Sequence, residues 1–265
     1  MRRATLTALL TVMSLLLATD SGAITYGELD GSLHPTVGAL IRVRPSDGAF
    51  RILCSGTLID EDLVLTAAHC TDFLASQGVT DLWVSFDSEI DPDNPETAAR
   101  IHATYVTHPD YAFPNNDVAL VFLDQPVATT PATIIEENGL ATMKTAGTLR
   151  GQTFTNVGYG STSEWQFGPP VLEFDGKRRF STSPYRGLTK NSLILLMTHN
   201  ATGQGGTCSG DSGGPHFVGD SLVIASVTSW GDPLCRSLDQ TQRVDIPSDG
   251  AHRNSPEMLI EIHHL

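Results

Sequence analysis

The sequence predicts an all-β chain of barrel or sandwich type. Three observations carry that reading. Short apolar runs rich in β-branched residues recur after residue 23, broken by Gly, Pro, Asn and Asp. No long stretch has helical periodicity before the last ten residues. Gly219-Asp220 lies between two such runs, where a tight hairpin is expected.

In chain order the runs are VGALIRV (37–43), LVLTAA (63–68), LWVSF (82–86), RIHATYV (100–106), VALVFL (118–123), LILLM (193–197) and LVIASV (222–227). Most have strand length. The exception is PEMLIEIHHL (256–265), which reads as a terminal helix. Residues 87–99, DSEIDPDNPETAA, read as an acidic surface loop. Carboxylates of this kind can hold calcium, but such loops are more often simply solvated. We see no internal repeat and no clear linker.

The 265 residues suit one large domain or two small ones, and 40% hydrophobic content is enough for a sizeable core. Formal net charge is −14; with Arg2, Arg3 and Asp20 removed in a leader, the remainder carries −15. So acidic a surface repels phosphate backbones and anionic lipid, which argues against nucleic acid as a partner. Residues 1–23 read as a secretory signal: Arg2 and Arg3 begin it, Leu6 to Ala18 form an apolar middle, and Ser21-Gly22-Ala23 supply small residues before a cut. The apolar run is short and Thr-containing for a span of about 30 Å, so no stable membrane association is expected after processing. The expected location is extracellular, or periplasmic in a bacterium. Cys54, Cys70, Cys208 and Cys235 imply two disulfides in an exported chain; four cysteines allow three pairings. No Cys-x-x-Cys pair exists, and we expect neither metal nor cofactor.

Three motifs carry chemistry: TAAHC (66–70), NNDVALVFL (115–123) and GTCSGDSGGP (206–215). A serine hydroxyl such as that of Ser212 is a weak nucleophile and needs a base. Gly210, Gly213 and Gly214 permit tight turns that aim several N–H groups at one point, where an oxyanion can develop. His69 is of the residue type that serves as the base, and Asp117 can hold its tautomer and stabilise its charged form. Taken singly, each motif has a plainer reading: a turn, a structural histidine at a strand end, a cap. The order His…Asp…Ser is what sets the combination apart.

On these motifs the chain resembles the trypsin/chymotrypsin-type serine endopeptidases, over essentially all of 24–265. CSGTLI (54–59), VGYGST (157–162) and TSWG (228–231) resemble the family's flanking segments. The resemblance implies two packed six-stranded antiparallel β-barrels with the site between them. It implies a triad of His69, Asp117 and Ser212, an oxyanion hole at the N–H groups of Gly210 and Ser212, and bridges Cys54–Cys70 and Cys208–Cys235. It implies protein or peptide substrates held along Ser229, Trp230 and Gly231, and a monomer. It also implies that a new N-terminus at Ile24 pairs with Asp211, because ITYGELDGSLHPTVGALI (24–41) matches the family's mature start. A signal cut at Ala23–Ile24 would then yield active enzyme directly. A cut after Ala18 would leave a short TDSGA propeptide, but it puts Leu16 where a small residue is preferred.

The chain departs from the family pattern in places. Thr25-Tyr26 replaces the usual Val-Gly, and no cysteine in 160–200 braces the substrate pocket. At the position six before the nucleophile, where trypsin has Asp, stands Gly206. A neutral, open pocket favours a large apolar side chain. Asp239, in RSLDQTQRVD (236–245), would favour a basic one if it pointed inward. The rival classes are a non-catalytic binding protein on the same fold and a structural barrel secreted for adhesion.

Overall fold

A computed structural model describes residues 24–164 and 171–246. The expected signal segment and the expected terminal helix at 256–265 lie outside the described residues.

Six strands close the first barrel: β1 (Val37–Val43), β2 (Phe50–Asp60), β3 (Leu63–Thr66), β4 (Asp81–Ser85), β5 (Ile101–Thr107) and β6 (Ala119–Leu123). Their order around the barrel is β1-β2-β3-β6-β5-β4, all antiparallel, closed by β4 on β1. Six more form the second: β7 (Thr153–Gly158), β8 (Arg179–Leu188), β9 (Ser192–Leu196), β10 (Pro215–Val218), β11 (Val223–Gly231) and β12 (Leu238–Arg243). Their order is β7-β8-β9-β12-β11-β10, closed by β10 on β7. The two barrels therefore repeat one strand order, although the sequence shows no repeat. Closure leaves neither barrel a free edge for aberrant pairing.

Apolar burial explains the first-barrel strands, several of which are buried on both faces. In β1 and β3, Leu40, Ile41, Val64 and Leu65 are buried with Leu58, Leu82, Leu120 and Val121 in one apolar cluster. The second barrel buries Phe154, Leu193, Leu195 and Ala225. Strands β7 and β8 are different. They bury polar groups among the apolar ones, with Asn156 Nδ2 donating to the hydroxyls of Ser181 (3.1 Å) and Ser183 (2.7 Å). Among the described residues three short α-helices went unanticipated: α1 (Ala68–Ser76) after β3, α2 (Gly139–Ala146) in the connection between the barrels, and α3 (His199–Thr202) after β9.

Arg178 ties the barrels together. Its guanidinium is almost wholly buried and donates to Asp30 (2.7 Å), the Val37, Phe86 and Gly31 carbonyls and the Tyr159 hydroxyl. Asp30 also hydrogen-bonds His34. Burial works against a charge on Asp30, yet the bonds from His34 and Arg178 hold its carboxyl below the usual range. Removing one member of such a buried pair strands the other. Arg178→Met is expected to cost about 3–5 kcal/mol. That corresponds to a melting point lower by roughly 10 °C for a chain of this size, read by calorimetry.

Candidate active site

The site lies where the two barrels meet, and each part comes from a strand end. Strand β3 stops at Thr66, and α1 begins two residues later, which sets His69 in its first turn. Asp117 sits just before β6, after Asn116 turns the chain at φ 55. Its carboxylate is fully buried. One oxygen accepts the backbone N–H of His69 and the other meets His69 Nδ1, each at 2.8 Å. Ser229 Oγ donates to Asp117 Oδ2 at 2.5 Å, and Asp117 N–H donates to Gln242 Oε1 at 3.3 Å. With Nδ1 on a carboxylate, that nitrogen carries the hydrogen and Nε2 keeps its lone pair. Burial opposes a charge on Asp117, but the bonds from His69 and Ser229 hold its carboxyl below the ordinary value. Asp117 thus stays an acceptor across the neutral range.

Ser212 is half-buried in a turn fixed from both barrels. Ser55 N–H of β2 donates to the Ser212 carbonyl at 2.8 Å. Gly213 N–H donates to Thr228 O, and Thr228 N–H to Gly214 O, both at 2.9 Å. Gly213 has φ 82, and a Cβ there would stand 2.1 Å from Thr66 Oγ1, so the turn presses on the segment that carries His69. The Ser209 carbonyl accepts from Ser161 N–H at 2.7 Å, and the Asp211 carbonyl from Gly214 N–H at 2.8 Å. In a trans peptide the N–H points opposite its carbonyl. The N–H groups of Gly210 and Ser212 are therefore turned away from these bonds, and among the described residues neither donates to a protein acceptor.

Of the three possible pairings, the structure has Cys54–Cys70 and Cys208–Cys235. Cys54, Cys70 and His69 lie close enough to suggest a metal site, but both sulfurs are spent in the disulfide and offer no thiolate.

Beside Ser212 a cavity of about 160 Å³ opens between β11, β12 and the nucleophile segment. Trp230 and Gly231 line it, and Trp230 is partly exposed. Gly206 lies behind its wall. Its backbone pairs with Thr25 (2.9 and 3.2 Å), and a Cβ on it would fall 2.3 Å from Met197 Cγ. Asp239 lines the cavity from β12. Ile24 is fully buried, and Asp211 is fully buried on the amides of Gly160 (2.8 Å) and Cys208 (2.9 Å). The sequence reading did not nominate Gln242, Ser55, Met197 or His216. Nothing local marks them; strand register alone brings them here.

The family model described as Trypsin matches residues 32–248. Among known proteins, the chain is 33% identical to "Trypsin" of Saccharopolyspora erythraea over 215 residues, 77% of this chain and 84% of that one. It is 32% identical to "Trypsin-like protease" of Streptomyces glaucescens over 199 residues, 69% of this chain and 67% of that one. Among solved structures it superposes on HL collagenase with TM-score 0.61 at 18% identity, covering 84% of this chain and 93% of that one. It superposes on human heparin binding protein with TM-score 0.61 at 20% identity, covering 84% and 92%. These two likenesses concern the fold alone.

Proposed function

Because the chain belongs to the trypsin family and is a serine endopeptidase, we propose that it cleaves peptide bonds through Ser212, His69 and Asp117, and that it is exported and active once residues 1–23 are removed. The observation that carries this reading is the grip of one buried carboxylate on both the backbone N–H and the Nδ1 of His69. An imidazole so held presents Nε2 to a nucleophile and has a counter-charge ready when it is protonated.

Ser212 attacks the scissile carbonyl as His69 takes its proton. The N–H groups of Gly210 and Ser212 receive the developing oxyanion. His69 then protonates the leaving amine, and water releases the acyl group by the reverse roles. The backbone of 229–231, at the end of β11, holds the substrate as an added strand. The enzyme works as a monomer on protein or peptide substrates, without a cofactor.

Fold likeness to a heparin-binding protein raises the reading of a non-catalytic binder. A chain of net charge −14 is a poor partner for a polyanion, and His69, Asp117 and Ser212 are all present. The intact mass of the secreted protein, before and after a fluorophosphonate, tests the proposal. The expected result is a chain beginning at Ile24 that gains one adduct, absent in Ser212→Ala. An unlabelled chain beginning at Ile24 would overturn it.

A further inference from the structure

Asp239 is a buried acid that the mechanism above leaves unused. It pairs with Gly231 across β11 and β12, which sets it in the cavity beside Ser212. It is 1% exposed. Thr207 Oγ1 donates to it at 2.5 Å. Its other neighbour is His216 of β10, with Nε2 at 3.4 Å from Asp239 Oδ2.

His216 does not neutralise that carboxylate. Asn156 Nδ2 donates to the Ser181 and Ser183 hydroxyls, so Asn156 Oδ1 is an acceptor. It lies 2.6 Å from His216 Nδ1, which must carry the hydrogen. Nε2 then holds a lone pair and accepts from Thr228 Oγ1 at 3.0 Å. Burial pushes the imidazole down to about 3, which keeps it neutral. Two acceptors therefore face each other across 3.4 Å. Asp239 is left with one hydroxyl donor and, among the described residues, no cation. A buried charge in that state is costly unless something in the cavity supplies the partner.

Position 206 has no room for that role, since Met197 fills the space a side chain there would need. Resting on the endopeptidase reading above, we propose that Asp239 is the specificity-determining acid of this pocket and receives the ammonium or guanidinium of Lys or Arg on the acyl side of the scissile bond. The acid reaches the cavity from β12. Trp230 and Met197 line the apolar stem of such a side chain, and Thr207 orients the carboxylate.

A pH dependence follows. Titratable groups near Asp239 are His216 from β10, Asp211 from the nucleophile segment and Asp232, which lines the same cavity just after β11; the residues paired with it on β9 and β11, Leu195 and Gly231, carry no charge. Burial pushes Asp239 up to about 7, while the Thr207 bond opposes that. An empty pocket therefore holds a proton below neutrality, and a cationic side chain must displace it. Selectivity for Arg over Leu should rise as pH passes from about 6 to 8.

The test compares kcat/KM for matched peptides carrying Arg, Lys, Leu or Phe at the scissile bond, with active sites counted by fluorophosphonate. Arg and Lys should exceed Leu and Phe, and Asp239→Asn should lower the Arg-to-Leu ratio at least ~100-fold. A preference for Leu or Phe in the unmodified enzyme, or an unchanged ratio in the variant, overturns the assignment. Should the variant fail to fold, inhibition of the unmodified enzyme by benzamidine against neutral benzamide decides. At least ~100-fold tighter binding of the cation is expected, and equal binding overturns the proposal. Absence of labelling and of hydrolysis of every peptide would instead defeat the endopeptidase reading itself.

Discussion

Ser212→Ala is expected to lower kcat on a peptide substrate by ~10⁴–10⁶, with KM changed only a few-fold. The large kcat effect follows because the hydroxyl matters only once the carbonyl is being attacked. His69→Ala should cost about as much, since Ser212 without a base keeps its proton. The double variant should be scarcely worse than either single one, because the two groups act as one unit. Some catalysis should survive in each: the N–H groups of Gly210 and Ser212 are backbone and persist in every variant. Asp117→Asn provides the sharper test of geometry. Asp117 uses one oxygen for the His69 backbone N–H and the other for Nδ1 and the Ser229 hydroxyl. An amide must turn its NH₂ toward one of these donors. The imidazole then loses its tautomer or its position, and kcat should fall by ~10⁴. Near-normal hydrolysis by Ser212→Ala or His69→Ala would refute the assignment; full activity in Asp117→Asn would refute the role given to the carboxylate.

How much of this was legible in the sequence depends on the range of the interaction. The glycines around Ser212 are legible because the turn requires them locally: Gly210 and Gly213 sit at φ 98 and 82, where a side chain is strained. Runs such as VGALIRV and VALVFL are legible because their strands are buried on both faces and so read as nearly continuous apolar runs. Strands β7 and β8 are not, because Asn156, Ser181 and Ser183 satisfy one another inside the second barrel and break the apolar alternation. Helix α1 has nine residues, of which Ala68, Cys70, Thr71 and Leu74 are buried, too short a stretch for periodicity to stand out. The orientation of Asp239 is set by its register against Gly231, and the space at Gly206 is taken by Met197 from β9's C-terminal end. Neither fact has a local signal. The common strand order of the two barrels is a property of pairing, so it leaves no trace in sequence similarity between the halves.

A chain beginning at Ile24 is expected to hydrolyse peptides ~10³-fold faster than the same chain with even one residue added before it. The reason lies at Asp211. Its carboxylate is fully buried, and its hydrogen bonds among the described residues come from two backbone amides. Burial pushes it up to about 7, against 3.8 for an ordinary aspartate, with a further push from Asp239. Ionising it in the fold without a cation costs roughly 4 kcal/mol. Ile24 is also buried, and the next residue, Thr25, pairs through an isolated bridge with Gly206, in the segment leading to the nucleophile. While Ala23 is attached, Ile24 has no charge and is held at φ 60, a conformation costly for a β-branched residue. Cleavage removes that torsion and creates an ammonium on the residue next to Thr25, whose bridge to Gly206 ties the new terminus to the segment that carries the acid. The ion pair we propose would steady the peptide units of 210–212, whose N–H groups the proposed mechanism gives to the oxyanion. The sign of the pH effect follows from the raised value. In the extended chain the fold keeps Asp211 protonated to about 7 while the unfolded chain loses the proton near 3.8, so stability falls as pH rises between them. The cut chain escapes this loss. Thermal melts of the two forms should nearly coincide near pH 4 and separate by about 10 °C at pH 8, with the cut chain the more stable. Asp211→Asn should erase the separation and bring the activity of the cut chain down to that of the extended one. Full activity in an extended chain, or a separation independent of pH, would mean that Asp211 is satisfied in some other way and that Ile24 is merely where the leader ends.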